Sequence, residues 1–293
     1  MKSNQTAGWR PGKQAEKQSQ VTGKGGNGMR IINICNLKGG VAKTVTATNL
    51  AYGLSEKGKK VLLLDNDKQA NATKFFNRHS YEKPGTPEVL TGEVEARTAI
   101  QHTDYEGIDI IPANMNLLAA NRAILLDEST PQHEHLKRAL APIQDDYDFC
   151  IIDNSPDANM SVINALVAGD DFIIPIKIDR FTMDGVEIML DYARQVQENY
   201  NPRLKFCGCL ITSYRSNEVN KSGAAYLEQS DYNLFQTRIH WTPKIDESTF
   251  VGKPIREYSP HSWAARGYKQ LTEEYLEMIG EKKPCPNRTR NHK

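Results

Sequence analysis

At 293 residues and 33.0 kDa, the chain can build one large α/β domain or two small ones. Its net charge is only +1, yet residues 1–28 and 281–293 each carry five Lys/Arg against one Glu, which leaves the stretch between them acidic, at about −7. No apolar run is long enough to span a bilayer, and the first residues lack the apolar segment of a signal peptide, so a cytoplasmic protein is expected rather than a secreted or membrane-spanning one. Five cysteines, an odd number without paired spacing, fit a reducing compartment.

Residues 1–28, rich in Gln, Ser, Lys and Gly, bury too little to fold alone and are expected to form a disordered basic arm, with 281–293 a second, flexible basic tail. The first element is an apolar strand at 30–35. It is followed by Asn-Leu-Lys-Gly-Gly-Val-Ala-Lys-Thr over 36–44 and by helical spacing from Val45. A strand, a glycine turn and a helix N-terminus in that order make a phosphate cradle, because backbone N–H groups converge there on an anion. Gly39, Gly40, Val41, Ala42, Lys43, Thr44 and Val45 are the expected nucleotide-binding residues. Lys43 reaches the terminal phosphates, and the Thr44 hydroxyl stands where such loops ligate Mg2+. Lys38, a second lysine at the loop mouth, is either a solvated charge or a group aimed at the nucleotide of a facing subunit.

A strand at 60–65 then runs into Asp65-Asn-Asp67, a short helix follows at 72–77, and Lys-Pro-Gly-Thr-Pro at 83–87 reads as a loop. Beyond it come a strand at 108–111, helices over 114–126 and 133–140, a strand closing on Asp153, and a helix at 161–168. A strand at 171–176, a long amphipathic helix over about 183–199, strands at 205–212 and 235–239, and a helix at 262–279 complete the pattern. Cys207 and Cys209 alternate along their strand and are expected on one face; Cys35 and Cys150 read as small apolar residues. The alternation of strands and helices predicts an α/β fold, a mostly parallel doubly wound sheet with helices on both faces and no internal repeat. Ligand chemistry belongs at the C-terminal strand ends, where Lys43, Asp65 and Asp153 all fall.

These segments resemble the ParA/MinD family of dimeric P-loop ATPases, and within it the ParA/Soj partition type. Residues 38–44 resemble its deviant Walker A motif, KGGxxK[ST]; residues 65–73, Asp-Asn-Asp-Lys-Gln-Ala-Asn-Ala-Thr, resemble its DxDPQGNAT segment; and 150–156 resemble its Walker B strand and hDxxP turn. Residues 176–185 and the stretch from 245 to 255 follow the family's later passages, so the resemblance covers about 30–279 and implies one ATPase domain over 29–280. It further implies that Lys38 crosses a dimer interface to the partner's phosphates. Asp65 and Asp153 would hold the Mg2+ water shell, and Asp67 would orient the attacking water. The implied protein is a slow switch that dimerises on ATP and Mg2+, binds DNA nonspecifically as the dimer in partition of a plasmid or chromosome, and is stimulated by a centromere-binding ParB-like partner, in the cytoplasm and on the nucleoid. Candidate DNA contacts are Arg215, Lys221, Arg238, Lys244, Lys253, Arg256 and Arg266. A MinD-like positioning ATPase would need a bulky apolar anchor after residue 279, which the sequence lacks, and a tyrosine kinase of the superfamily would need a terminal tyrosine cluster, also lacking. A weakly hydrolysing regulator of a mobile element is the remaining alternative. It is motivated by three departures from the family pattern: Ala42 for glycine, Lys68 for proline, and Asn154-Ser155 for Thr-Pro.

Overall fold

The computed structural model describes residues 28–179 and 182–281, with the side chains of 182–184 left aside. The two basic tails therefore lie outside the described residues, apart from Gly28 and Glu281. In chain order the elements are β1 (Arg30–Ile34), α1 (Lys43–Ser55), β2 (Val61–Asn66), α2 (Asn71–Phe75), α3 (Thr86–Thr91), α4 (Ala96–Ala99), β3 (Gln101–His102), β4 (Ile108–Ile111), α5 (Leu117–Leu126) and α6 (His135–Leu140). There follow β5 (Phe149–Asn154), α7 (Met160–Ala168), β6 (Asp171–Lys177), α8 (Thr182–Asn199), β7 (Lys205–Tyr214), α9 (Glu218–Glu228), β8 (Leu234–His240), α10 (Pro243–Phe250), α11 (Ile255–Tyr258) and α12 (Trp263–Met278).

The strands form one sheet in the order β3-β4-β2-β5-β1-β6-β7-β8. Every neighbouring pair is parallel except β3 with β4. Because the strands alternate, each sends side chains into two cores. Ile32, Ile34, Leu63, Ile151 and Ile173 meet α1 and α12 on one face. On the other face, Leu62, Leu64 and Ile152 meet α3, α5 and α6, while Phe172, Ile174 and Ile211 meet α7, α8 and α9. Burial on both faces is why β1, β2 and β5 read as near-continuous apolar runs. Asp65 and Asp153 share parity with Leu63 and Ile151, so both carboxylates emerge on the α1 face, directly opposite one another in register.

Two expectations need correction. Cys207 and Cys209 do not share a face: Cys207 joins the α1/α12 core and Cys209 the α8 core. The cause is a bulge, where Phe172 pairs with Phe206 but Ile173 with Gly208, and Gly208 sits at φ +148, so one extra residue flips the alternation. The loop read at 83–87 is instead the entrance to α3. Pro87 stands in its first turn and the Gly85 N–H donates to Glu88 Oε2 at 2.8 Å, placing proline where helices tolerate it. The stretch from 245 to 255 carries most of α10 and then the connection over 251–254, and α9 has no counterpart among the expected elements.

Candidate functional site

From the end of β1 the chain turns over the sheet edge on specific supports. Asn36 Nδ2 donates to the Pro175 carbonyl at 2.8 Å while its Oδ1 accepts the Lys38 N–H at 2.8 Å, and Thr212 Oγ1 donates to the Val41 carbonyl at 3.1 Å. Gly40 takes φ +72, and Ala42 enters the left-handed region at φ 66, ψ 35 before α1 begins. Ala42 cannot cap a helix, and α1 has no side-chain cap, so the first N–H groups of a 13-residue helix stay available for an anion, with the helix dipole behind them. A Cβ built on Gly39 or Gly40 would meet nothing within 4 Å, so the loop surface is open. Lys43, 8% exposed, points back along the loop and donates to the Lys38 carbonyl at 3.1 Å. Burial lowers its pKa, opposed by Asp153 and Asp67.

Facing the loop, Asp65 and Asp153 differ sharply. Asp65 is well supported: Oδ1 accepts from the Asp67 N–H at 3.1 Å, and Oδ2 from the Thr73 N–H at 2.8 Å and hydroxyl at 2.7 Å, which ties α2 to β2 and leaves one acceptor site on Oδ1. Burial pushes it up to about 6, against the pull of the Thr73 bonds. Asp153 is buried with neither carboxylate oxygen hydrogen-bonded. Burial, reinforced by the Asp65 charge, holds it well above the ordinary carboxylate range; Thr44 and Lys43 beside it pull the other way, Thr44 without reaching hydrogen-bond geometry. A buried carboxylate with orphaned oxygens next to a hydroxyl is a donor set that fits a hard divalent cation. Among the described residues no group of three or more His, Cys, Asp or Glu forms a metal site. Mg2+ here would therefore take Thr44 and Asp153 from the protein, with Asp65 opposite Asp153 within reach of its water shell, and otherwise rely on water and phosphate oxygens, as this ion prefers. Asp67, 8% exposed, folds its Oδ1 onto the Gln69 N–H at 2.9 Å.

Sequence reasoning missed three things. Lys38 forms an ion pair with Asp179, 141 residues away, at the partly exposed loop mouth. Lys68, in place of proline, pairs with Asp157 in the loop after β5. Ala70 is a second left-handed alanine, at φ 53, and starts α2. Only Ala70 left a signal, since it occupies the glycine position of the DxDPQGNAT pattern. The departure at Asn154 has a structural use. It accepts from Asn66 Nδ2 at 2.8 Å and donates to Asn33 Oδ1 at 3.1 Å, stitching β2, β5 and β1 together on the face away from the acids.

A family model described as an AAA domain matches residues 29–206, and the Soj sporulation initiation inhibitor protein of Bacillus subtilis is 34% identical over 249 residues, covering 84% of this chain and 97% of Soj. The chain belongs to the ParA/MinD family of P-loop ATPases. The chromosome partitioning protein ParA of Caulobacter vibrioides is 30% identical over 258 residues, 85% of this chain and 95% of its own. Among solved structures, the cobyrinic acid a,c-diamide synthase of Mycobacterium smegmatis with a bound ATP analogue and magnesium superposes with a TM-score of 0.75 at 29% identity, covering 87% of this chain and 98% of that one.

For a ParA/MinD member the basic surface matters next. Of the seven candidate cations, five have carboxylate partners: Lys221 with Glu218, Arg238 with Glu228, Lys244 with Glu247, Lys253 with Glu257, and Arg256 with Glu56. Among the described residues Arg215 and Arg266 pair with no carboxylate. They lie instead on exposed tryptophans, Arg215 4.0 Å from the centre of Trp241 and Arg266 5.1 Å from that of Trp263. Within the described residues no helix is long and apolar enough to cross a membrane.

Proposed function

We propose that the protein is a partition switch: one ATPase domain over residues 29–280, with basic arms at 1–28 and 281–293, that dimerises on ATP and Mg2+ and binds DNA nonspecifically as the dimer. Slow hydrolysis, stimulated by a ParB-like centromere-binding partner, returns it to the monomer, in the cytoplasm and on the nucleoid. The similarity to Soj and ParA supports a partition or positioning ATPase. The observation that carries the reading is the convergence of an uncapped helix N-terminus, Lys43 and the orphaned Asp153 carboxylate at the C-terminal ends of β1, β2 and β5.

The α1 N–H groups and Lys43 bind the phosphates, Lys43 exchanging the Lys38 carbonyl for phosphate oxygens. Thr44 and Asp153 would hold Mg2+, with Asp65 reaching its water shell, and the ion would supply positive charge against the terminal phosphates. Asp65 keeps α2 in place so that Asp67 can orient water toward the terminal phosphorus. Lys38 leaves Asp179 for the partner's phosphates as the dimer closes, which makes the triphosphate part of the interface. Arg215 and Arg266, uncommitted to carboxylates, meet DNA phosphates.

Light scattering of wild type, Lys38→Ala and Asp67→Ala with ADP or ATP and Mg2+ tests the switch. The expected result is an ATP-only dimer that persists in Asp67→Ala and is lost in Lys38→Ala; a monomer in every condition sinks the shared site. On that dimer, Arg215→Ala is expected to lower the salt slope of DNA binding by about one, whereas Lys253→Ala leaves it unchanged. Equal effects would remove the distinction between paired and stacked cations.

A further inference from the structure

Lys68 follows Asp67 directly in the turn between β2 and α2, and its ammonium pairs with Asp157, four residues past Asp153 in the turn between β5 and α7. One ion pair thus joins the turn that carries Asp67 to the turn that leaves β5 just after Asp153. Asp65 and Asp153 lie opposite one another at the ends of β2 and β5, and Asp153 lies opposite Ile34 at the end of β1, so the turns that carry Asp67 and Asp157 leave the same edge of the sheet as the phosphate loop; both acids oppose the lowering of the Lys43 pKa.

The pair is not needed to hold either loop. The Asp67 carboxylate already caps the Gln69 N–H, Asn159 caps α7 by accepting from the Val162 N–H at 3.0 Å, and the Ser155 N–H donates to the Asn66 carbonyl at 3.2 Å. Lys68 and Asp157 are 28% and 40% exposed, a setting in which an ion pair adds only about 0–1 kcal/mol. Asp67, Asp153 and Asp157 all act on Lys43, and Asp65 lies opposite Asp153 in register, so acids outnumber the cations Lys43 and Lys68 at these strand ends. A triphosphate arriving there adds several more negative charges, and an uncompensated Asp157 would oppose it. Lysine, a compact charge on a flexible stem, can change partner without moving its backbone.

We propose that Lys68 senses the third phosphate: it leaves Asp157 for the terminal phosphoryl group of a bound nucleoside triphosphate and stays on Asp157 beside a diphosphate. Release of Asp157 then reports the nucleotide state to the loop entering α7. This rests on the ATP reading of the same site.

Calorimetric titration with ADP and with a non-hydrolysable ATP analogue, both with Mg2+, tests it on the full chain as wild type, Lys68→Met, Lys68→Arg, Asp157→Asn and the Met/Asn double variant. Lys68→Met is expected to weaken the triphosphate about tenfold, the worth of one charge-assisted contact, with ADP changed less than about twofold. Lys68→Arg restores the preference, and Asp157→Asn strengthens the triphosphate alone. Lys68→Met within Asp157→Asn still weakens the triphosphate, because the contact is with phosphate and not through Asp157. Equal weakening of both nucleotides, or an effect that vanishes in the Asp157→Asn background, overturns the assignment while leaving the ATP reading intact. A wild type that binds neither nucleotide overturns the ATP reading beneath it. Should Lys68→Met not fold, Lys68→Arg and Asp157→Asn decide.

Discussion

Ala42→Gly should make the protein more stable, although glycine ordinarily weakens a chain. Ala42 sits at φ 66, ψ 35, where a β-carbon costs about 1–2 kcal/mol against the neighbouring carbonyl. Glycine removes that strain and gives back about 0.5–1 kcal/mol through the freer unfolded chain. The net gain is about 0.5–1 kcal/mol, or a rise of about 1–4 °C in midpoint for a domain of this size. Urea unfolding of the nucleotide-free chain at constant ionic strength reads it as a higher midpoint at unchanged slope. Ala123→Gly, at an exposed helical position in α5, is the control and should lose about 1 kcal/mol. If Ala42→Gly falls with the control, the alanine bears no strain and the reasoning fails. Ala70→Gly, at φ 53, should behave as Ala42→Gly does, and the two gains should add.

Asp153→Asn should raise the midpoint of the nucleotide-free chain, since it removes a buried carboxylate without partners, by about 1 kcal/mol. The same variant should lose the increment from Mg2+ and ATP, about 2.7 kcal/mol at a hundred times the dissociation constant in wild type; retention of that increment would show that Mg2+ does not need Asp153. The Asp65 pKa rises from 3.8 unfolded to about 6 folded, so between these values the native state holds the extra proton and stability falls as pH rises. Midpoints of wild type against Asp65→Asn from pH 4 to 6.5 should fall more steeply in wild type, since Asp153, also raised by burial, adds a downward slope of its own, and parallel curves would refute the Asp65 share. Gly53→Ala should destabilise despite alanine's helix propensity, by about 1–3 kcal/mol, because the new Cβ would lie 2.1 Å from Thr272 Oγ1 where α1 packs on α12. A gain measured by urea midpoint would show that Thr272 can turn away.

The central sheet and the phosphate cradle were legible because apolar strands buried on both faces cannot disguise themselves, and because a glycine turn between strand and helix has few other uses. Lys43, Thr44, Asp65 and Asp153 come together where the strand ends predict. What stayed hidden depended on partners. α9 buries only Ala224 and Leu227 and contains Gly223, whose missing side chain admits Ile178, so few apolar residues and a central glycine leave little to mark it as a helix. α10 buries only Ser248 and opens on Pro243, which reads as a breaker until it is seen in a first turn. The bulge at Gly208 belongs to the pairing of β6 with β7 and cannot be read in either strand alone. Lys38 with Asp179 and Lys68 with Asp157 join charges 141 and 89 residues apart, and one sequence holds no signal for such pairs.

The strand order also sets a timetable for synthesis. β1 is made first yet lies between β5 and β6, and β2 lies between β4 and β5. A growing chain therefore displays the phosphate loop more than a hundred residues before the strand that must hold it leaves the ribosome. Until residue 154 is out, β1 and β2 have no common neighbour, and their apolar edges stand open to any other strand. Nucleotide cannot guide these early steps, because Lys43 and Asp153 do not yet share a place. The capacity to bind arrives late and all at once, and a ribosome stalled before β5 would carry a chain with an intact motif and no site.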